Sequence, residues 1–70
     1  MTSVVLNGTA HDLPEGATVE AAVAATGAPA DARGVAVALD GEVVPRGEWR
    51  QTPVREGQHV EVLHAVQGGA

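Results

Sequence analysis

The sequence predicts an α+β domain in which one mixed sheet packs on a single helix, and three observations carry that expectation. Two dipeptides, Asn7-Gly8 and Asp40-Gly41, sit beside apolar runs and supply the positive φ values that a two-residue hairpin turn demands. Only the stretch from Val19 to Thr26 repeats its apolar residues at helical spacing. The segment from His59 to Val66 instead alternates with period two, as a half-buried strand does. Although 44% of the 70 residues are hydrophobic, valine and alanine dominate and only one residue is aromatic. That is material for one thin core of modest stability and no second domain.

The chain opens with a hairpin. Val4, Val5 and Leu6 form its first arm, and Thr9 to Leu13 return antiparallel after the Asn7-Gly8 turn. Pro14, Glu15 and Gly16 then punctuate the chain. Thr18 is placed to cap a helix, and Glu20 puts a negative charge in the first turn, where it opposes the helix dipole. The helix runs from about Val19 to Thr26, buries Val19, Ala22, Val23 and Thr26, and stops at Gly27, with Pro29 following. So short a helix requires a sheet to lie on.

Residues 30–34 read as a loop. Val35 to Leu39 then alternate, with Val35, Val37 and Leu39 on the core face and Ala36 and Ala38 on the other, as befits a central strand. After the Asp40-Gly41 turn, Glu42 to Val44 form a brief partner strand, which Pro45 ends because it has no N–H to donate. The segment Arg46 to Thr52 turns and carries Trp49, expected to plug the core. Pro53 to Gln58 is a loop with a turn at Glu56-Gly57. In the last strand, His59 to Val66, one face holds Val60, Val62, His64 and Val66 and the other holds His59, Glu61, Leu63 and Ala65.

Two strands, a helix, a strand, a short strand and a final strand is the order of the ubiquitin-like β-grasp fold, in which the first and last strands are parallel neighbours at the centre of the sheet. The domain is expected to span residues 1–66. Residues 67–70, Gln67-Gly68-Gly69-Ala70, are expected to project as a flexible tail, because consecutive glycines resist packing back as a helix.

Composition excludes several functions. No apolar run approaches the ~20 residues of a membrane-spanning helix, and residues 1–20 lack a basic segment before an apolar one, so a cytoplasmic protein is expected. The absence of cysteine removes disulfides, thiolate metal sites and thiol nucleophiles. A net charge of −5 has the wrong sign for neutralising phosphates, so nucleic acid is not an expected partner. His59 and His64 lie on opposite faces of one strand and His11 on another, which gives no metal site. The only serine, Ser3, lies outside any nucleophile pattern, and Asp40 and Glu42 flank a turn as solvated carboxylates. No catalytic residue, metal or bound cofactor is expected in so small a chain, which has no depth for a substrate pocket.

The sharper signal is Gly68-Gly69 directly after an apolar strand. Without Cβ atoms these residues can carry a terminal carboxylate into a narrow active site. Activated there as an acyl adenylate, the carboxylate would acquire AMP as a leaving group that a sulfur nucleophile can displace. That chemistry needs no cysteine on the carrier.

Across essentially its whole length the chain resembles the ThiS family, the ubiquitin-like sulfur carriers of thiamine biosynthesis. The resemblance rests on the first strand ending at Asn7, Gly16-Ala17-Thr18-Val19 leading into the helix, the run from Val37 to Arg46 with Trp49, Glu56-Gly57, and Val66-Gln67-Gly68-Gly69. Val44-Pro45-Arg46 with Trp49 favours this family over the small subunit of molybdopterin synthase. The resemblance implies that Gly69 is the modified residue, with Gly68 and Gln67 as its tail. It implies adenylation with ATP by an enzyme similar to ubiquitin-activating enzymes, conversion to a thiocarboxylate with a sulfur-transfer enzyme, and donation of the sulfur to thiazole synthase. The free carrier is expected to be a monomer that docks its partners through the sheet face bearing Leu63, Ala36 and Ala38.

The family pattern ends at glycine, whereas Ala70 follows here. Trimming, a cloning remnant and tolerance of the extra residue are the competing explanations. Alternative functions are sulfur delivery to molybdopterin, ubiquitin-like modification of protein amines, and non-covalent interaction through a β-grasp domain.

Overall fold

A computed structural model describes residues 1–28 and 34–64. The elements appear in the expected order: β1 (Thr2–Leu6), β2 (Thr9–Leu13), α1 (Val19–Ala25), β3 (Val35–Leu39), β4 (Glu42–Val43), a single 3₁₀ turn (Arg46–Glu48) and β5 (His59–His64). They form one five-stranded sheet of order β2-β1-β5-β3-β4. β1 and β5 are parallel neighbours and the other pairings are antiparallel. This is the mixed sheet and single helix of the β-grasp fold.

Both hairpin turns form for the expected reason. Asn7 and Gly8 have φ values of 49° and 84°, and Asp40 and Gly41 have 48° and 87°, so both central positions of each turn occupy the left-handed region. β5 takes the middle place, and β3 lies beside it as an interior strand. Val60 and Val62 on β5 are buried together with Val4, Leu6, Val37 and the helix residues Val19, Ala22 and Val23. Among the described residues no helix covers the opposite face of the sheet.

Several boundaries differ from expectation. The helix ends at Ala25, and Thr26 is its C-cap, half-buried with its Oγ1 donating to the Val23 carbonyl at 2.6 Å. Thr18 stands at the N-cap with extended backbone, but its side chain makes no capping bond. The N–H of Val19 instead donates to the Thr52 carbonyl at 2.8 Å and that of Glu20 to the Trp49 carbonyl at 3.2 Å. These main-chain acceptors satisfy donors that a hydroxyl would otherwise cap. β4 stops at Val43, although the Val44 N–H still bonds the Val37 carbonyl at 2.9 Å. Val35 and Leu39 are only half-buried beside the buried Val37.

Trp49 is buried at 4% exposure, and its indole N–H donates to the Val44 carbonyl at 2.9 Å. The aromatic ring therefore closes the core beneath the turn that caps α1. The end of the final strand at residues 65 and 66, and the boundary between 66 and 67, lie outside the described residues.

Candidate functional site

The strand that leads toward the diglycine is held on both sides. Along β3 its antiparallel register runs from Leu39 opposite Val60 to Val35 opposite His64. Along β1 the parallel register holds only two pairs, Val5 with His59 and Leu6 with Val60, because β1 turns away at Asn7. The Asn7 side chain then stands in for a strand. The Val62 N–H donates to Asn7 Oδ1 at 2.8 Å, and Asn7 Nδ2 donates to the Val62 carbonyl at 3.2 Å. A carboxamide offers one acceptor and one donor group in a plane, as a peptide unit does. β5 is thereby fixed in register beyond the end of its parallel partner.

The open face of the sheet gathers small and apolar side chains near this strand. Leu63 lies opposite Ala36, and Ala38 lies between Glu61 and Val43. Paired residues share a face, so Leu63, Ala36, Ala38 and Val43 lie with Glu61 on the side away from the helix. Leu63 is 65% exposed and Val43 is 76% exposed. Ala36 is exposed and Ala38 half-buried. Val43 was not among the expected docking residues. The two-residue turn at Asp40-Gly41 could have found it, since that loop length sets Leu39 opposite Glu42 and hence Ala38 opposite Val43.

At the start of β5 a hydrogen-bonded knot fixes the strand's other end. The Asp40 carboxylate accepts the His59 N–H at 2.9 Å and Gln58 Nε2 at 3.0 Å, while the Asp40 N–H donates to the His59 carbonyl at 2.8 Å. The His59 N–H and the Gln58 amide hold the Asp40 carboxyl below its ordinary value of 3.8.

The histidines are separated. His59 shares the open face with Val5, whereas His64 lies opposite Val35 and His11 opposite Val4 on the helix-side face. Among the described residues no group of three histidine, aspartate or glutamate side chains could hold a metal ion, and no helix is long and apolar enough to cross a membrane. The expected tail residues Gln67, Gly68 and Gly69, and Ala70 after them, lie outside the described residues.

The model of the ThiS family matches residues 4–69. The chain belongs to the ThiS family. It is also similar to the crystal structure of the thiamine biosynthesis protein ThiS from Geobacter metallireducens, at 31% identity and a TM-score of 0.76, over 97% of this chain and 100% of that one. A search of the curated proteins finds no match. ThiS-family members are small sulfur carrier proteins of thiamine biosynthesis and not enzymes, and this chain is assigned to that class.

Proposed function

We propose that this ThiS-family chain carries sulfur as a thiocarboxylate on Gly69. The observation that supports the reading most is a family match that runs through the final strand to Gly69 itself. The chemistry follows from the carboxylate, which is a poor electrophile until one oxygen becomes part of a better leaving group. An adenylating enzyme similar to ubiquitin-activating enzymes supplies ATP, and a Gly69 carboxylate oxygen attacks the α-phosphorus and expels pyrophosphate. A sulfur nucleophile from a sulfur-transfer enzyme then displaces AMP. Thiazole synthase accepts the sulfur from the resulting thiocarboxylate. ATP is the activating enzyme's substrate, and the carrier itself binds no cofactor.

Gly68 and Gly69 serve this sequence by carrying no Cβ into the partners' channels. Leu63, Ala36, Ala38 and Val43 dock the globular body, since exposed apolar side chains grouped on one face are the part of a surface that gains most from being covered. We place the exchange in the cytoplasm, where ATP is supplied, and the free carrier is a monomer that each partner meets in turn.

The test is intact-mass spectrometry of a chain ending at Gly69 after incubation with the adenylating enzyme, ATP and a sulfur source. Exchange of one oxygen for sulfur supports the reading, and an unchanged mass rejects it. Co-purification with molybdopterin synthase in place of thiazole synthase would redirect the sulfur. Diglycine attached to lysines of cellular proteins would make the chain a modifier.

A further inference from the structure

One carboxylate stands on the face that is otherwise suited to apolar contact. Glu61 is exposed on β5, the middle strand of the sheet, directly opposite Ala38 and two residues before Leu63. Val43 pairs with Ala38 from the edge. Paired residues, and residues two apart on one strand, share a face, so a surface that covers Leu63, Ala38 and Val43 covers Glu61 as well. Among the described residues the Glu61 side chain takes part in no ion pair and accepts no hydrogen bond. The other titratable side chains that the strands place on this face are His59, opposite Val5, and Asp12, opposite Ser3. The described arginines, Arg46, Arg50 and Arg55, lie outside the strands. We propose, resting on the carrier reading above, that the adenylating enzyme meets this face with a basic side chain set among apolar ones, and that Glu61 selects it.

The physical reason is desolvation. Apolar contact with Leu63 and Val43 strips water from the carboxylate beside them, and an ionised group that loses its water without a partner opposes binding. A cation on the incoming surface returns that loss as a charge-assisted hydrogen bond. Arginine answers better than lysine, because its guanidinium is more weakly hydrated and meets a carboxylate through two parallel N–H donors. The sign of the charge also acts before contact, since a basic patch is drawn toward a carrier of net charge −5. A second copy of the chain is the wrong occupant for the same reason. Both copies are acidic, and stacking the two faces would bring carboxylate toward carboxylate.

Titration calorimetry of the full chain against purified adenylating enzyme, with three variants, is the test. Glu61→Gln keeps the shape of the side chain and removes its charge. Glu61→Leu makes that position apolar. Glu20→Gln removes the same charge from α1, on the other side of the sheet. We expect Glu61→Gln and Glu61→Leu each to raise the Kd at least about tenfold, and Glu20→Gln to leave it within about twofold. Leucine is the deciding substitution, because it improves contact with an apolar patch but leaves a basic one unpaired. Urea unfolding followed by circular dichroism establishes that each variant is folded, and the nearly isosteric Glu61→Gln keeps the test intact should leucine disturb the strand. Binding of Glu61→Leu as tight as that of the natural chain, an unchanged Kd for Glu61→Gln, or an equal loss for Glu20→Gln overturns the basic partner and leaves the carrier reading standing. So does a natural chain that gains sulfur without measurable binding. The intact-mass measurement on a chain ending at Gly69 reads the carrier separately, and a chain that gains no sulfur there overturns the carrier reading and the basic partner together.

Discussion

Asn7 does two jobs with one side chain. Its backbone adopts φ 49° to start the first hairpin turn, and its carboxamide takes both main-chain groups of Val62. Asn7→Gly isolates the second job, because glycine adopts the turn conformation without strain. We expect that variant to lose about 1–3 kcal/mol, the cost of leaving partly buried polar groups unpaired, measured as a lower urea midpoint. A loss below about 0.5 kcal/mol would mean that water replaces the carboxamide at no cost. Asp40 gives a pH signature. Its folded-state carboxyl is held below 3.8 by the His59 N–H and the Gln58 amide. A depressed value means that the charged form is preferred by the folded state, so the contribution is complete above the unfolded value and fades as pH falls through the folded one. The stability advantage of the natural chain over Asp40→Asn should therefore be constant at neutral pH and shrink only below about pH 4. A gap in urea midpoint that stays flat down to pH 2 would remove the charge from the explanation.

At the level of elements, α1 shows how a seven-residue helix survives. Helices of this length do not persist alone, and Thr18 offers no side-chain cap. The first turn is held by carbonyls of Trp49 and Thr52, while Val19, Ala22 and Val23 are buried against the sheet. Trp49 is thus a core side chain whose own segment caps the helix. Trp49→Phe keeps an aromatic ring but strands the Val44 carbonyl that the indole N–H serves. We expect a loss of about 1–3 kcal/mol in urea unfolding followed by circular dichroism. Trp49→Ala should cost more, about 3–5 kcal/mol, since it also leaves a cavity. Equal losses for the two variants would show that packing alone accounts for the residue.

For the whole molecule, the covered sheet face supplies stability, and the docking role proposed above falls to the other face. The covered face holds the valines that make the core, whereas Leu63 and Val43 stand largely exposed on the other. The three described arginines, Arg46, Arg50 and Arg55, all follow β4 and precede β5, away from the strands, while Glu61 lies among the apolar residues of the open face. Leu63→Gln should leave the urea midpoint within about 0.5 kcal/mol of the natural chain and weaken binding to the adenylating enzyme by about tenfold or more. Titration calorimetry and urea unfolding on the same sample decide this. Unchanged affinity would move the docking surface elsewhere.

The order of strands and helix, both hairpin turns, the two faces of β5 and the buried Trp49 were legible in the sequence, because each follows from local turn chemistry or a short hydrophobic period. Tertiary structure alone decided that Asn7 braces Val62 across a separation of 55 residues, that Trp49 and Thr52 carbonyls replace the Thr18 cap, and that Asp40 is tied to Gln58 18 residues away. It also made Val43 part of the same face as Leu63. These partnerships depend on strand register and on the path of the chain through space. A period counted along the sequence fixes which way a side chain points, but the group it meets is set only when distant segments are brought together by the burial of their common core.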